Sequence, residues 1–572
     1  MKLATSWSGW RSDSWRWIGG DLAVGLVLAS LLVPAGLGYA EAAGLPAISG
    51  LYATVIPLVI YALIGPSRSL VLGPDSSLAP MIAAVVVPVS ARTGVSPLEV
   101  AGLLSLIVGA MMIAAGVARL GFLTELLSSP VRYGYLNGIA LIVIVSQVPK
   151  VLGVSVESVD LPGRVVDMAS AIGDGQVQRA PLIIGCASLV AMLGLRRWHR
   201  SIPAELIVML ASMAAVGWWE VGGSRLSTVG TMPRGLPSVS VPEVPFAEIG
   251  PIVAAAVWIT IVALADTSVL SRSIAAKRHE SVDANYEIAV LGLTNVANAF
   301  GSGFPISSSQ SRTSVAAALG GRTQLAPLAG AGAVMLFLVA WPGAFRTLPT
   351  ATLAAVVICA ALRMVQVRAV VALARVRNSE VVLSVVSFIA VAALGVLWGI
   401  AVAIGLSVLN VVRKAWRPHT AELVRVDGLK GYHDASRHPE GQRIPGLVLF
   451  RFDAPLFFAN AAGFRTALLS LLRNDTTRVV VTAEPMTDID ATAVEMLTDL
   501  HRELADRHVV LAFAEMKGHL RERMARAGLV DVVGPGRFAP TVGEAVRSHL
   551  VEHDIEWVDW EDRSTPARDD QR

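Results

Sequence analysis

From Asp21 to about Arg417 the chain is a succession of Ala, Val, Leu and Ile runs, many of them near the ~20 residues that a bilayer-spanning helix needs. Several runs are shorter, or broken by Gly and Pro, and together they make about 14 segments. So many apolar stretches find no sufficient interior in a water-soluble fold, and this part of the chain belongs in lipid. Composition agrees: 54% of the 572 residues are hydrophobic and only 16% are charged, which argues against an ordinary soluble enzyme. The formal net charge of +3 is spread over the connections between apolar runs, so it describes membrane topology rather than a nucleic-acid-binding surface. Cys186 and Cys359 both lie in apolar stretches and read as small core residues, with neither metal-ligand neighbours nor a disulfide framework.

Basic residues give the orientation. One cluster is Arg196, Arg197 and Arg200, a second Arg272, Lys277 and Arg278, a third Arg363, Arg368, Arg375 and Arg377, and a fourth Arg413, Lys414 and Arg417. Counted from a cytoplasmic N-terminus, all four fall on the cytoplasmic side, as basic loops do. The expectation is a multi-pass protein of the cell (inner) membrane with both termini inside and the longer connections, about 150–180 and 220–250, outside. Trp7, Trp10, Trp15 and Trp17 alternate with Ser, Arg and Gly before the first run, as suits an interface rather than a cleavable leader.

After about residue 420 charged residues become frequent and the apolar runs shrink. Residues 446–452, 478–484 and 508–515 read as buried strands, and 461–473, 491–507, 517–527 and 541–552 carry helical spacing. Strands alternating with helices predict a small parallel or mixed sheet flanked by helices, an α/β domain. The expected division is an N-terminal segment 1–18, a membrane domain 19–418, a soluble domain 419–556 and a disordered tail 557–572, polar from Asp562 onward.

Within the membrane region the chain echoes itself. Leu72-Gly73-Pro74-Asp75-Ser76-Ser77 and Gly303-Phe304-Pro305-Ile306-Ser307-Ser308-Ser309 each precede a short apolar segment, each about the third of its half. Both resemble helix starts, with Pro suited to a first turn and Ser or Asp suited to capping free amides. Two half-helices facing one another at membrane depth would offer N–H donors and positive dipole ends to an anion. Interrupted segments at matching places in two halves point to a transporter site; loops at the membrane edge with ordinary caps are the plainer alternative.

These residues resemble a known family. Pro34-Ala35-Gly36-Leu37-Gly38-Tyr39-Ala40, Ala43-Gly44-Leu45-Pro46, Gly50-Leu51-Tyr52, Gly65-Pro66-Ser67-Arg68 and Val71-Leu72-Gly73-Pro74 are similar to the signature of the SulP sulfate permeases. The stretch from Asn295 to Gln324, with Ser311-Arg312-Thr313 and Gly320-Gly321-Arg322-Thr323-Gln324, resembles that family's second block, and Phe450 to Asn460 resembles a STAS domain. The resemblance implies a polytopic α-helical fold of about 14 segments in a 7+7 inverted repeat with a C-terminal STAS domain, assembled as a homodimer. It implies an anion held beside Tyr39, Asp75, Ser76, Ser77, Ile306, Ser307, Ser308, Ser311 and Arg312. Ala35 stands where many members carry Gln beside the anion, a departure that removes a polar contact to the substrate.

Carboxylates complete the sequence reading. Glu41, Asp75 and Asp266 fall in or near membrane segments, where acidic residues are costly and usually functional. Asp266 is embedded in a long apolar run, at a place where the family often has an acidic residue; with Glu41 it is the candidate for coupling to H+ or Na+, a Na+ ion sitting near Asp266 in the second case. The plainer roles are a helix cap for Asp75 and contact with interfacial water for Glu41. All ten histidines lie in loops or the soluble domain, His199 and His279 being the two before residue 419, so proton coupling would use carboxylates. Thr492 matches the phosphorylatable position of regulatory STAS proteins, with Ala493 in place of the usual Gly, and it also fits a capping box with Glu495.

With no nucleotide loop, catalytic triad or metal cluster in the sequence, the expectation is a transporter rather than an enzyme, needing no cofactor. Its cargo is an inorganic anion, sulfate or similar, moved by alternating access with H+ or Na+. A bicarbonate or C4-dicarboxylate symporter, an anion exchanger, and a membrane-tethered STAS sensor without net flux are the alternatives.

Overall fold

Hydrocarbon offers no partners for backbone N–H and C=O groups, so a chain of apolar runs satisfies them within helices. In the computed structural model the described residues are 18–121, 128–158, 160–198, 203–219, 226–233, 235, 237, 239, 241–278 and 282–557. The four N-terminal tryptophans, His199, Arg200, His279, the side chains of Lys277 and Arg278, and the tail beyond residue 557 lie outside them. The chain divides into two compact units, Met1–Ser407 and Val408–Arg572.

The first unit is helical: α1 (Ile18–Ala42), α2 (Ala47–Ile64), α3 (Ala79–Thr93), α4 (Pro97–Val117), α5 (Ser129–Leu152), α6 (Leu161–Gly173), α7 (Arg179–Trp198) and α8 (Ala204–Trp219) form one series. A second series follows: α9 (Ile249–Arg278), α10 (Ala284–Phe300), α11 (Gln310–Ala318), α12 (Leu325–Ala340), α13 (Thr350–Met364), α14 (Val367–Leu373), α15 (Asn378–Leu394) and α16 (Val396–Trp416), inside which the division between units falls. Among the described residues eight helices are long and apolar enough to cross a membrane, and α3, α8, α12 and α15 are shorter apolar helices. With α10 and α11 they make the fourteen segments that the sequence suggested. The remaining two, α6 and α14, bury little or nothing and stand at the same place in each series, after its fifth segment.

The two series pack as counterparts. Helix α12 packs on α1 and α2, and its counterpart α4 packs on α9 and α10; α13 packs on α7, and its counterpart α5 on α15. Small residues permit the closest of these contacts. A Cβ on Gly109 of α4 would lie 2.6 Å from the carbonyl oxygen of Gly292 on α10, so only glycine lets these backbones touch. Packing sorts the helices into two groups, α1–α4 with α9–α12 and α5–α8 with α13–α15, joined chiefly through contacts of α1 and α3 with α5, α8 and α13.

Where the first group is interrupted, β1 (Leu72–Gly73) pairs antiparallel with β2 (Ser307–Ser308), Leu72 opposite Ser308 and Gly73 opposite Ser307. Here the structure corrects the sequence reading. Pro74 and Pro305 precede the helices by several residues and occupy no first turn; Pro80 takes that place in α3. The corresponding helix caps, Leu78 and Ser309, make no side-chain capping bond. Cys359 is buried as expected, but Cys186 is exposed on α7, an outward position that suits contact with lipid.

The second unit is a six-stranded sheet built from β3 (Thr420–Arg425), β4 (Tyr432–Asp434), β5 (Leu447–Phe452), β6 (Arg478–Thr482), β7 (Val510–Ala514) and β8 (Phe538–Ala539), in the order β4-β3-β5-β6-β7-β8. Strands β5 to β8 run parallel and β3 antiparallel to both its neighbours. Alternation along β5 divides the core, as strand geometry requires. Val448, Phe450 and Phe452 face one cluster with α17 (Ala461–Ser470) and α18 (Ala491–Asp506), where the rings of Phe450 and Phe452 each stand 5.1 Å from that of Phe464. Leu447 and Leu449 face the other cluster; α19 (Gly518–Arg526) and α20 (Leu529–Val533) lie on the first face and α21 (Val542–Glu552) on the second.

Candidate anion site

The site is organised by the β1–β2 pairing. Asn295 of α10 holds Ile306 by both backbone groups: its Oδ1 accepts from the Ile306 N–H at 2.8 Å and its Nδ2 donates to the Ile306 carbonyl at 3.2 Å. On the opposite strand the Val71 N–H donates to Thr313 Oγ1 at 3.1 Å, and the Val71 carbonyl accepts from the Ser309 N–H at 3.0 Å. These clamps leave α3 and α11 starting from one shared ribbon.

Beside that ribbon lies a cavity of about 520 Å³ at the junction of the two helix groups. Tyr39 of α1, Asp75, Ser76 and Ser77 before α3, Asp266 of α9, and Ser308 and Ser311 at the start of α11 line it. The structure thus brings together seven of the residues singled out in the sequence, from four separate stretches of chain. The opposite wall supplies residues that the sequence reading missed: Arg132 and Tyr133 of α5 and Arg363 of α13, while Gln310 and Ser314 add polar groups from α11. A second cavity, also about 520 Å³, shares Tyr39, Ser311 and Arg363 with the first and includes Ala35, Arg196, Glu205 and Arg312.

Three features give the first cavity its chemistry. The start of α11 carries amides that no side chain caps, whereas at α3 the Ala79 N–H donates to the Asp75 carbonyl and Pro80 has no N–H; each helix terminus contributes roughly half a positive charge. Ser308 is 4% exposed and its Oγ has no hydrogen-bond partner, an orphaned donor of the kind a bound ligand satisfies. Asp75 and Asp266 meet through Ser77, whose Oγ lies 2.7 Å from Asp75 Oδ2 and 3.1 Å from Asp266 Oδ2. The Ser77 N–H also donates to Asp75 Oδ2, at 3.0 Å. A hydroxyl has one hydrogen, so Ser77 donates to one carboxylate at a time; the second contact becomes a hydrogen bond when that carboxyl carries its own proton.

Other expected residues stand elsewhere. Ile306 and Ser307 are buried in the ribbon and shape it, without lining the cavity. Arg312 is 3% exposed, donates from Nη2 to the Pro74 carbonyl at 2.5 Å, and lines only the second cavity, so it braces the β1 end of the ribbon. Glu41 is paired with Lys150 at 3.4 Å and is absent from both linings.

Thr492 belongs to the other unit and is exposed in the first turn of α18. The helix is capped by Asp490, whose Oδ1 accepts from the Ala493 N–H at 2.8 Å, so the capping box proposed for Thr492 and Glu495 is replaced by an aspartate cap two residues earlier.

Two arginines read from sequence as topological markers are committed in the structure: Arg196 and Arg363 both pair with Glu205, which is 5% exposed, Arg363 at 3.0 Å. Further buried acids escaped the sequence reading. Asp21 accepts from the Arg322 N–H at 3.0 Å and from Thr323 Oγ1 at 2.5 Å, and Glu287 accepts from Tyr61 and from Ser271, the latter at 3.0 Å. Both are satisfied by dedicated donors and lie outside the cavity linings, in the manner of structural buried carboxylates.

Comparison with known proteins gives the following likenesses. Residues 18–414 match the model of the sulfate permease family and residues 438–545 that of the STAS domain. A probable sulfate transporter of Mycobacterium tuberculosis is 39% identical over 536 residues, 93% of this chain and 95% of that protein. Murine Slc26a9, an anion transporter solved in the inward-facing state, superposes with a TM-score of 0.85 at 21% identity, covering 93% of this chain and 91% of that one. The transmembrane domain of the cyanobacterial bicarbonate transporter BicA superposes with a TM-score of 0.59 at 20% identity, covering 69% of this chain and 98% of that one.

Proposed function

The chain belongs to the sulfate permease family, and from that membership we propose that it carries an inorganic oxyanion, sulfate in first place, across the inner membrane by alternating access with proton symport. The observation that carries this reading is the meeting of the turn that leads into α3 (Asp75, Ser76 and Ser77), the uncapped start of α11 and Asp266 in one cavity at the junction of the two helix groups. The helix starts and Ser308 supply donors to the anion. Asp75 and Asp266 oppose it, because unscreened negative charges in a low-dielectric site repel. A proton on Asp266 removes one of those charges and completes the contact with Ser77, so anion and proton enter together. Relative movement of the two helix groups would then expose the cavity to either side, since each group supplies one wall.

Sulfate is placed first because the relative at 39% identity is named for it; bicarbonate is the second cargo, for which BicA is named. Na+ held between Asp75 and Asp266 is the alternative coupling ion. In this reading residues 19–418 transport, 419–556 form a cytoplasmic regulatory STAS domain with exposed Thr492 as its modification point, and two chains assemble as a homodimer.

The test is uptake of labelled sulfate by the purified chain in proteoliposomes under an inward proton gradient, an inward Na+ gradient or neither, with bicarbonate, succinate and chloride as competitors. The expected result is accumulation under the proton gradient, with sulfate the strongest self-competitor. Accumulation under Na+ alone would replace the proton, a stronger competitor would replace sulfate, and binding without flux would make the chain a sensor.

A further inference from the structure

The geometry points to Arg132 as a cation that holds the transported anion, and to competition between that anion and Asp266 for its guanidinium. This rests on the cavity being the transport site. Three arginines stand near enough to matter: Arg363, Arg312 and Arg132. Arg363 holds Glu205 at 3.0 Å, a carboxylate it shares with Arg196; Arg312 donates from Nη2 to the Pro74 carbonyl at 2.5 Å, keeps its Nε and Nη1 shielded without a partner, and lines only the neighbouring cavity.

Arg132 lines the cavity itself, and its Nε is shielded from solvent without a partner. No ion pair or hydrogen bond reaches its guanidinium among the described residues; the ring of Tyr133 lies 6.0 Å away. It also stands in the first turn of α5, where the helix terminus disfavours a cation, and Ser128 at the cap supplies no side-chain bond to offset this. A residue that breaks a local rule beside a cavity marks a place where function outweighs stability.

The groups that face it across the cavity set what it can do. Asp75 and Asp266 come from the other helix group, Tyr39 adds a phenol, and Arg363 shares Glu205 with Arg196. Arg132 is therefore a positive charge in the lining of this cavity that no carboxylate pairs among the described residues, set against Asp75 and Asp266. With the cavity empty of substrate, ionised Asp266 draws Arg132 toward it across the junction. With Asp266 protonated, the guanidinium turns to the incoming anion. Because Arg132 belongs to one helix group and Asp266 to the other, the same exchange links the state of the site to the fit between the groups.

A planar guanidinium offers two parallel N–H donors, which match two oxygens of sulfate, bicarbonate or a carboxylate and have no such match in a halide. Arg132 accordingly selects oxyanions over halides.

The experiment measures sulfate KM, sulfate binding and chloride competition in proteoliposomes for the wild-type chain, R132K, R132Q and R132Q/D266N. R132Q should raise KM at least about tenfold, the loss of one charge-assisted contact. R132K should keep binding but shift the sulfate-to-chloride preference toward chloride. R132Q/D266N should bind more tightly than R132Q, because the uncompensated carboxylate is gone. Wild-type KM and selectivity in R132Q, with the wild-type chain transporting, would overturn the assignment of Arg132. Absence of sulfate flux and binding in the wild-type chain would instead overturn the transport reading. Should R132Q fail to insert, unchanged selectivity in R132K is the overturning result.

Discussion

At the scale of single residues, the C-terminal unit separates a cap from a candidate modification point two positions apart. Asp490 accepts from the Ala493 N–H at 2.8 Å and, through its other oxygen, from the Phe458 N–H at 2.8 Å, while Thr492 is exposed. Asp490→Ala should therefore lower the stability of this unit by about 1 to 2 kcal/mol, and Thr492→Ala should change it by less than about 0.5 kcal/mol. Thermal or urea unfolding followed by tryptic susceptibility of α18 distinguishes them; equal losses would restore the threonine as a structural residue. The motif of Asp490-Ala491-Thr492-Ala493 was legible, but which oxygen reaches the free amides depends on backbone angles that a sequence does not state.

The same limit explains the arginines. Arg132, Arg312 and Arg363 all lie at ends of apolar runs, and only the fold shows that Arg363 meets Glu205, that Arg312 braces the Pro74 carbonyl, and that Arg132 is left to the cavity. Asp266 was findable because a carboxylate inside an apolar run has few inexpensive explanations. Asp21, Glu205 and Glu287 sit closer to the ends of such runs and are less conspicuous there, although they are more fully buried than Asp266.

At the scale of elements, the two-residue ribbon of β1 and β2 is the device that sets the distance between the starts of α3 and α11. Gly73 adopts φ of +142°, a conformation suited to glycine, and a Cβ there would come within 3.3 Å of Arg312 Nη1. Gly73→Val adds a strain of roughly 1 to 3 kcal/mol and displaces that brace, so anion affinity should fall together with stability. Gly94 at the far end of α3 also has positive φ, +72°, but a Cβ there meets nothing within 4 Å. Gly94→Ala is thus the control: a comparable loss of thermal stability with anion KM unchanged. Equal KM for both variants and the wild-type chain would remove the ribbon from the account.

Elements of regular length were the legible part. The strands expected at 446–452, 478–484 and 508–515 occur as β5, β6 and β7, because long apolar β-branched runs leave few alternatives. Strands β3, β4 and β8 went unread because they mix polar residues with apolar ones or span two or three positions. The ribbon was read as two helix starts for a related reason: two residues carry no periodicity, and their strand character is created by pairing across some 230 residues of sequence, as Leu72 with Ser308.

At the scale of the whole molecule, composition established the membrane region and the separate C-terminal unit, and the echo of two Pro-Ser motifs located the place where the halves meet. What a sequence could not state is which helices share a wall. The sorting into α1–α4 with α9–α12 and α5–α8 with α13–α15 follows from close contacts such as Gly109 against Gly292, which depend on pairwise fit rather than on hydrophobicity. That sorting puts Asp266 and Arg132 in the lining of one cavity from different helix groups, the arrangement on which the proposed coupling rests.

The most direct test compares two fluxes in Asp266→Asn: accumulation of labelled sulfate under an imposed proton gradient, and exchange of labelled for unlabelled sulfate at equal concentration on both sides. If Asp266 carries the coupled proton, the variant retains exchange, because binding and the movement between states remain, and loses accumulation above equilibrium. Accumulation equal to that of the wild-type chain would contradict the account.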